Sequence, residues 1–170
     1  SSYKINMGTA LPLGVTRYGR SVNMSIVAPN CKSCRIHFFN KNDKNDQIMI
    51  EVPEYYQVGD IYCVNIEGFD VSKYEYVYEI DDKIVIDPYA QVIIGKEKWG
   101  KFDQYFDPYA IRCGFADQDF DWKNDTPLAL PYNEMILYKM HVRGFTKHYS
   151  SSCGKVAGTY RGVIEKILYL

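Results

Sequence analysis

The chain has 170 residues, of which 46% are hydrophobic and 16 are tyrosines, enough for one folded domain or for one domain and a piece of another. Its formal net charge is −1 and its basic residues are scattered, which argues against nucleic acid or an anionic membrane as the main partner. No apolar run approaches the roughly 20 residues that a membrane span needs.

The amino-terminal residues and the cysteines indicate the cellular compartment. The first ten residues, SSYKINMGTA, lack the charged-then-apolar order of a signal peptide. The five cysteines are an odd number in a chain large enough not to need disulfides, which favours reduced thiols. We therefore expect a cytoplasmic, bacterial setting, with secretion of a longer parent protein left open.

Between about Gly14 and Ile86, short segments of alternating polarity are separated by turn residues. Such strands, with turns about every ten residues, predict an antiparallel β-sandwich of immunoglobulin type over residues 1–95. The residues expected on the inward faces are Val22, Met24, Ile26 and Ala28; Cys34, Ile36 and Phe38; Ile48, Ile50 and Val52; and Tyr74, Tyr76, Tyr78 and Ile80.

Two features of this region have alternative interpretations. Tyr74, Tyr76 and Tyr78 either form a flat stacking platform for a ligand or belong to the core, and strict period two opposite a Glu-bearing face favours the core. The sequence CKSCRIH sets Cys31, Cys34 and His37 at intervals of three residues, like half of a zinc site. A structural zinc needs four ligands and no second pair stands at a useful spacing, so we expect no metal and a buried Cys34.

From Asp87 to Tyr132 the alternation loosens. Prolines, acidic runs such as ADQDFDW and isolated aromatics predict an ordered connector, which we assign to residues 96–132. The tetrapeptide DPYA occurs twice, at 87–90 and 107–110, which is too short to establish an internal repeat. Trp99 lies among polar residues bounded by glycines, where a partly exposed indole either stacks on a ligand or anchors the connector.

The last part of the chain, residues 133–170, changes to a parallel α/β pattern. Residues 135–142 are a nearly unbroken apolar run of strand length, followed by a Gly/Ser-rich loop. An amphipathic helix is predicted over residues 160–168. Its apolar face consists of Tyr160, Val163, Ile164, Ile167 and Leu168.

His141 and Arg143 are polar residues at the end of the predicted strand. They either line a site at the carboxyl end of a parallel strand or form buried hydrogen bonds to a neighbour. The sequence contains no Ser/His/Asp arrangement, phosphate-binding glycine loop or nucleotide fingerprint, so no cofactor is expected.

Two stretches of the chain resemble a known protein family. PLG…GRSVNMSIVAP, followed by YEYVYEIDDKIVIDPYA, resembles the β-sandwich called carbohydrate-binding module family 48. DFDWKNDTPLALPYNEMILYKMHVRGFTKH…GTYRGVIEKILYL is similar to the passage from that module into the first strand and helix of a glycoside hydrolase family 13 barrel. The sequence YKMHVRGFT resembles the debranching group more closely than the branching enzymes, which share the module. The debranching group includes type I pullulanases, isoamylases and glycogen debranching enzymes. Val27 stands where the family usually carries an aromatic residue, which argues against a glycan contact near that strand.

This resemblance implies a function for the protein from which the chain comes. The parent is expected to be a glycoside hydrolase that cleaves α-1,6 branch linkages in glycogen, starch or pullulan with retention of configuration. In the family the nucleophile, the acid/base and the third carboxylate lie on the fourth, fifth and seventh barrel strands, beyond Leu170. No catalytic residue is therefore assigned in this chain, and the chain alone is expected to be inactive.

Two further interpretations stay open beside the accessory region of an enzyme. The chain is either a binding module that carries α-glucan, with Trp99 as the expected sugar contact, or a structural sandwich that touches no sugar. The expected partners are α-glucan and the remainder of a catalytic barrel. Without that remainder the apolar helix face needs cover, either from the sandwich or from a second copy in a homodimer caused by truncation.

Overall fold

The predicted strands form two antiparallel sheets in the computed structural model of the protein, which describes residues 3–96, 107–116 and 121–170. The chain divides into two units, residues 1–120 and residues 121–170. The strands are β1 Lys4–Met7, β2 Gly14–Tyr18, β3 Ser21–Val27, β4 Cys34–Asn40, β5 Gln47–Val52, β6 Gln57–Val58, β7 Ile61–Glu67, β8 Tyr74–Ile80, β9 Lys83–Val85, β10 Val92–Ile94 and β11 Arg112–Gly114.

The two sheets have simple orders. The first runs β1-β7-β3-β2, and β6 also pairs with β7. The second runs β10-β11-β8-β4-β5, and β9 also pairs with β8. Buried residues of both sheets belong to one hydrophobic cluster, as expected for two sheets packed face to face. The prediction of an antiparallel β-sandwich is thus confirmed.

The inward faces of the strands agree with the alternation in the sequence. The expected inward residues of β3, β4 and β8 are buried, and on β5 Ile50 and Val52 are buried whereas Ile48 is half-buried. The three tyrosines of β8 lie in the core, which confirms the core interpretation over the stacking platform. Cys34 is fully buried, as predicted.

The outer face of the first sheet is covered by the segment that joins β1 to β2. The side chain of Asn23 on β3 accepts a hydrogen bond from the Thr9 amide at 2.8 Å and donates one to the Thr9 carbonyl at 2.9 Å. Ser25 Oγ donates to the Pro12 carbonyl at 3.0 Å. Asn23 and Ser25 are buried on the face opposite the core, and these bonds satisfy their polar side chains.

The second sheet extends into the stretch predicted as a connector. β11 lies between β10 and β8 in that sheet, with Cys113 opposite Tyr76 and Cys113 fully buried. The sheet therefore continues beyond residue 95, where the sequence placed the end of the sandwich.

The two DPYA tetrapeptides adopt the same turn. Asp87 Oδ1 accepts from the Tyr89 amide at 2.8 Å, and Asp107 Oδ1 accepts from the Tyr109 amide at 2.9 Å. In each case the alanine amide closes the turn on the aspartate carbonyl at 3.0 Å. Because the aspartate side chain organises each turn, the two tetrapeptides direct the backbone toward β10 and β11 in the same way.

The second unit is built from short helices. They are the 3₁₀ helices Tyr132–Glu134, Tyr149–Ser151 and Gly154–Val156 and the α-helices α1 Val142–Lys147 and α2 Tyr160–Ile164. Two further 3₁₀ helices, Glu54–Tyr56 and Val71–Lys73, belong to the first unit. Within the described residues, no helix combines the length and the apolar character needed to cross a bilayer.

The predicted strand over residues 135–142 does not form. Residues 135–141 have no regular structure, and α1 begins at Val142. Ile136 and Leu137 are 95% and 84% exposed. A strand needs a neighbour for its backbone hydrogen bonds, and no described strand pairs with this segment.

The predicted helix over residues 160–168 is shorter in the structure. α2 ends at Ile164, and the residue that it buries is Gly162. A Cβ on Gly162 would lie 2.7 Å from the Val156 carbonyl oxygen and 3.0 Å from the Thr146 Cβ. Of the predicted apolar face, Ile164 and Ile167 are exposed. A short helix without packing on that face gains little from continuing.

Candidate functional site

Trp99, the predicted ligand contact, lies outside the described residues. The described stretch that follows it, beginning at Asp107, contacts the outer face of the second sheet. The outward-facing side chains of β4 and β8 form one linked group with this stretch, which we name the Glu79 face. Its members are Arg35, His37, Phe39, Glu75, Glu79, Tyr109 and Arg112.

Glu79 on β8 is held by two side chains of β4. Arg35 is its direct cross-strand neighbour, and Arg35 Nη1 donates to Glu79 Oε1. His37 Nε2 lies 2.5 Å from Glu79 Oε2. A carboxylate can only accept, so His37 Nε2 carries the hydrogen of this bond. Arg35 Nη1 also lies 3.3 Å from Asp82 Oδ1.

The surroundings of Glu79 act on its pKa in opposite directions. Partial burial of the carboxyl raises its pKa, because the charged form loses water. Hydrogen bonds from His37 and Arg35 stabilise the charged form and outweigh burial, so the pKa is below its ordinary value of 4.5. Glu79 is therefore a fixed negative charge at neutral pH.

Tyr109 packs on this face from the second DPYA turn. Its ring centroid lies 5.6 Å from that of His37 and 5.3 Å from that of Phe39. The turn at Asp107 fixes the backbone of Tyr109, and the side chain is half-exposed. The phenol ring is thus oriented by both the turn and the sheet.

Arg112 connects Tyr109 to the sheet. Its Nε donates to the Tyr109 carbonyl at 2.8 Å, and its Nη1 lies 3.4 Å from Glu75 Oε2. The guanidinium carbon lies 3.9 Å from the centroid of the Phe39 ring, within the range of a cation–π contact. One arginine thereby links a turn, an aromatic ring and a carboxylate.

The Glu79 face combines flat rings and planar polar groups on a rigid sheet. Rings offer apolar surface, while guanidinium, imidazole and carboxylate groups offer donors and acceptors in fixed directions. A surface of this kind suits a flat, hydroxyl-rich ligand held by ring stacking and hydrogen bonds. Both carboxylates of this face, Glu75 and Glu79, are already ion-paired, so neither of them is a free acid or base.

The residues considered as metal ligands are not brought together. Cys34 is buried in the core, whereas His37 points outward to Glu79. Burial raises the pKa of the Cys34 thiol to about 12, so the thiol is protonated at neutral pH. No group of three His, Cys, Asp or Glu side chains in the described residues could hold a metal ion.

His141 and Arg143 have local roles in the structure. The His141 Nδ1 accepts from the Gly144 amide at 3.0 Å and so caps the amino terminus of α1. Arg143 is exposed in the first turn of that helix. Neither interpretation made from the sequence applies, because the strand on which both depended is absent.

Sequence reasoning did not identify the Glu79 face as a site. The alternation in CRIHFF and YEYVYEI already assigned Arg35, His37 and Glu79 to outward positions. The signal that could have found them is the opposite charge of residues on strands that were both expected in one sandwich. The register that sets Arg35 opposite Glu79, and the return of Tyr109 to this face, were not readable from the sequence.

The chain is similar to a known protein family and to known proteins. Residues 12–90 match the family model for carbohydrate-binding module 48, described as the isoamylase N-terminal domain. Isoamylase 1, chloroplastic, of Arabidopsis thaliana is 31% identical over 98% of this chain and 24% of that protein. The glycogen debranching enzyme of Yersinia enterocolitica is 24% identical over 94% of this chain and 27% of that protein.

A solved structure has a similar fold. The pullulanase SAP of Group B Streptococcus, in complex with maltotetraose, matches with a TM-score of 0.61 at 20% identity, over 93% of this chain and 22% of that chain. The chain spans about a quarter of the length of the relatives it matches. Residues 12–90, which contain most of both sheets, are therefore similar to carbohydrate-binding module 48 as it occurs in the isoamylase N-terminal domain.

Proposed function

We propose that this chain is the amino-terminal accessory region of an α-1,6-glucan debranching glycoside hydrolase of the isoamylase and pullulanase type. The whole enzyme hydrolyses branch linkages in glycogen, starch or pullulan with retention of configuration. The observation that carries this proposal is the extent of the similarity: the match to an isoamylase runs over 98% of the chain and so continues beyond the module itself.

Within this enzyme the two units have different tasks. Residues 12–90 contribute an accessory sandwich of immunoglobulin type. Residues 133–170 contribute the first helix of the catalytic barrel and a segment that would form its first strand once the neighbouring barrel strands are present to pair with it. The exposure of Ile136, Leu137 and Ile164 supports this assignment, since apolar side chains in such numbers require a surface to cover them. The remaining barrel strands and helices of the longer polypeptide would supply that surface. The free state of all five cysteines, four of them buried, supports a bacterial cytoplasmic setting.

The Glu79 face is the proposed contact of the module with α-glucan. Tyr109 offers a half-exposed ring, and Arg35, His37 and Arg112 offer oriented donors beside it. The solved pullulanase of similar fold was crystallised with maltotetraose, an α-glucan oligosaccharide. A pyranose stacked on Tyr109 would have its hydroxyls within the row of planar polar groups on β4.

Affinity electrophoresis in gels containing glycogen tests this contact with a matched pair of variants. Tyr109→Ala is expected to weaken binding about fivefold, since one stacked ring contributes about 1 kcal/mol. Tyr89→Ala is the control, because Tyr89 belongs to the same kind of turn but lines a small cavity with Val15 and Phe115 and is not a member of the Glu79 face. Equal mobility of the wild type with and without glycogen would contradict the contact.

A different observation favours a second function, in which the sandwich supports the catalytic barrel and does not contact sugar. The charged groups of the Glu79 face are already paired with each other, Arg35 and His37 with Glu79 and Arg112 with Glu75. Groups satisfied in this way stabilise the sheet without any ligand. In this case neither tyrosine variant changes mobility in glycogen, and both Arg112→Ala and Tyr109→Ala lower the free energy of unfolding.

A further inference from the structure

β5 is an open edge of the second sheet. It pairs with β4 over its whole length, from Cys34 opposite Val52 to Phe39 opposite Gln47. The sheet order ends at β5, and no other described strand pairs with it. Among the residues that the structure describes, no strand uses the backbone donors and acceptors on the second side of β5, and such an edge can accept a further strand.

The other edges of the two sheets are better protected. β1 has four residues and begins with Lys4, β2 has five and contains Arg17, and β10 has three. β5 has six residues, QIMIEV, with neither a basic residue nor a proline among them. Lysine, proline and short length are the features that discourage edge pairing, so β5 is the least protected edge among the described strands.

The sequence of β5 is complementary to itself in one antiparallel register. With Met49 opposite Met49 of a second copy, Gln47 lies opposite Glu51 and Ile48 lies opposite Ile50. The sequence positions of opposed residues differ by an even number. Inward side chains of one copy therefore meet inward side chains of the other, and outward ones meet outward ones. Gln47 can donate to Glu51, Met49 is 52% exposed and gains an apolar neighbour, and no like charges are opposed.

We propose that β5 is a self-association surface, at which two copies of this chain join edge to edge through antiparallel β5 strands centred on Met49. The contact is isologous, so it closes as a dimer and does not propagate. An edge contact buries little area, and the dimer is therefore weak and concentration-dependent. This association differs from one made by the exposed apolar residues of the second unit, such as Ile164 and Ile167, because it uses only the sandwich.

Substitution of Met49 by residues of opposite charge tests the proposal in the 170-residue chain. Sedimentation velocity over a dilution series should show a monomer–dimer equilibrium for the wild type. Met49→Lys and Met49→Glu should each weaken the dimer about tenfold, because like charges are then directly opposed. An equimolar mixture of the two variants should associate at least as tightly as the wild type, since lysine then faces glutamate.

A tail variant and a folding control complete the experiment. The double variant Ile164→Ser, Ile167→Ser should dimerise as the wild type does. Met49 is exposed, and unchanged circular dichroism and thermal unfolding of its variants will establish that they fold. A wild type that stays monomeric, a mixture that does not associate, or a dimer lost only in the tail variant would each overturn the proposal.

Discussion

The side chain of Glu79 shows how a single residue depends on its neighbours in adjacent strands. Its carboxylate is held by Arg35 and His37 on β4, and these bonds lower its pKa despite partial burial. A group with a lowered folded-state pKa stabilises the protein above the unfolded-state value, and this contribution is lost as the pH falls through the folded-state value. Glu79 therefore contributes to stability at neutral pH and loses that contribution below its ordinary value of 4.5.

The variant Glu79→Gln should show this pH dependence. At neutral pH the variant should have a lower free energy of unfolding than the wild type. As the pH falls below 4.5 the difference should narrow, because only the wild type takes up a proton at this position. Urea unfolding across this range measures the effect, with Glu67→Gln, at the exposed end of β7, as the control for the change in net charge. A difference that does not vary with pH would contradict the role assigned to Glu79.

At the scale of the residue, the sequence predicted burial better than hydrogen bonding. The alternation identified Cys34 and the tyrosines of β8 as core residues, since period two reports directly which face is apolar. It did not identify Asn23 as a buried residue, although Asn23 is only 1% exposed. The partner of Asn23 is the backbone of Thr9, and nothing in the local sequence indicates that this segment crosses the sheet.

At the scale of the element, the strands of six or seven residues in the sandwich were predictable, whereas a three-residue strand and a segment without a described neighbour were not. β3, β4 and β8 pair on both sides within the sandwich and agree with the predicted segments. β11 has three residues, too few for periodicity to detect, and it is recognised only by its position between β10 and β8. Residues 135–141 have the composition of a strand but no described neighbour, so composition alone did not decide their structure.

The turn after β10 provides a prediction at this scale. Gly95 has a φ of +96°, and a Cβ there would overlap the carbonyl oxygen of Ala110 in the second DPYA turn. Gly19 has a φ of +57° with nothing within 4 Å of its Cβ position, so it shares the backbone conformation without the contact. Gly19→Ala should cost only the left-handed conformation, roughly 1–2 kcal/mol, whereas Gly95→Ala should cost more because backbone must also move. Urea unfolding of both variants measures the difference, and equal losses would show that the Ala110 contact is unimportant.

At the scale of the whole molecule, catalysis depends on carboxyl groups with two different environments. Hydrolysis of a glycosidic bond needs one carboxyl that is protonated at the working pH and a second one that is ionised, held on opposite sides of the bond. The pKa values of four carboxyls among the described residues, Asp46, Asp70, Glu79 and Asp81, are lowered from their ordinary values. In each case hydrogen bonds outweigh burial, and the group is ionised, as a structural carboxylate is.

We therefore expect the 170-residue chain to release no reducing sugar from pullulan or glycogen above a buffer control. The physical reason is that hydrogen bonds hold the carboxyls of Asp46, Asp70, Glu79 and Asp81 ionised, so none of these four is suited to act as the general acid. A longer polypeptide that includes the proposed barrel should release reducing sugar from pullulan under the same conditions, which makes it the positive control. Sugar release by the 170-residue chain that is abolished by substitution of one of its acidic residues would contradict the expectation and would identify that residue as catalytic.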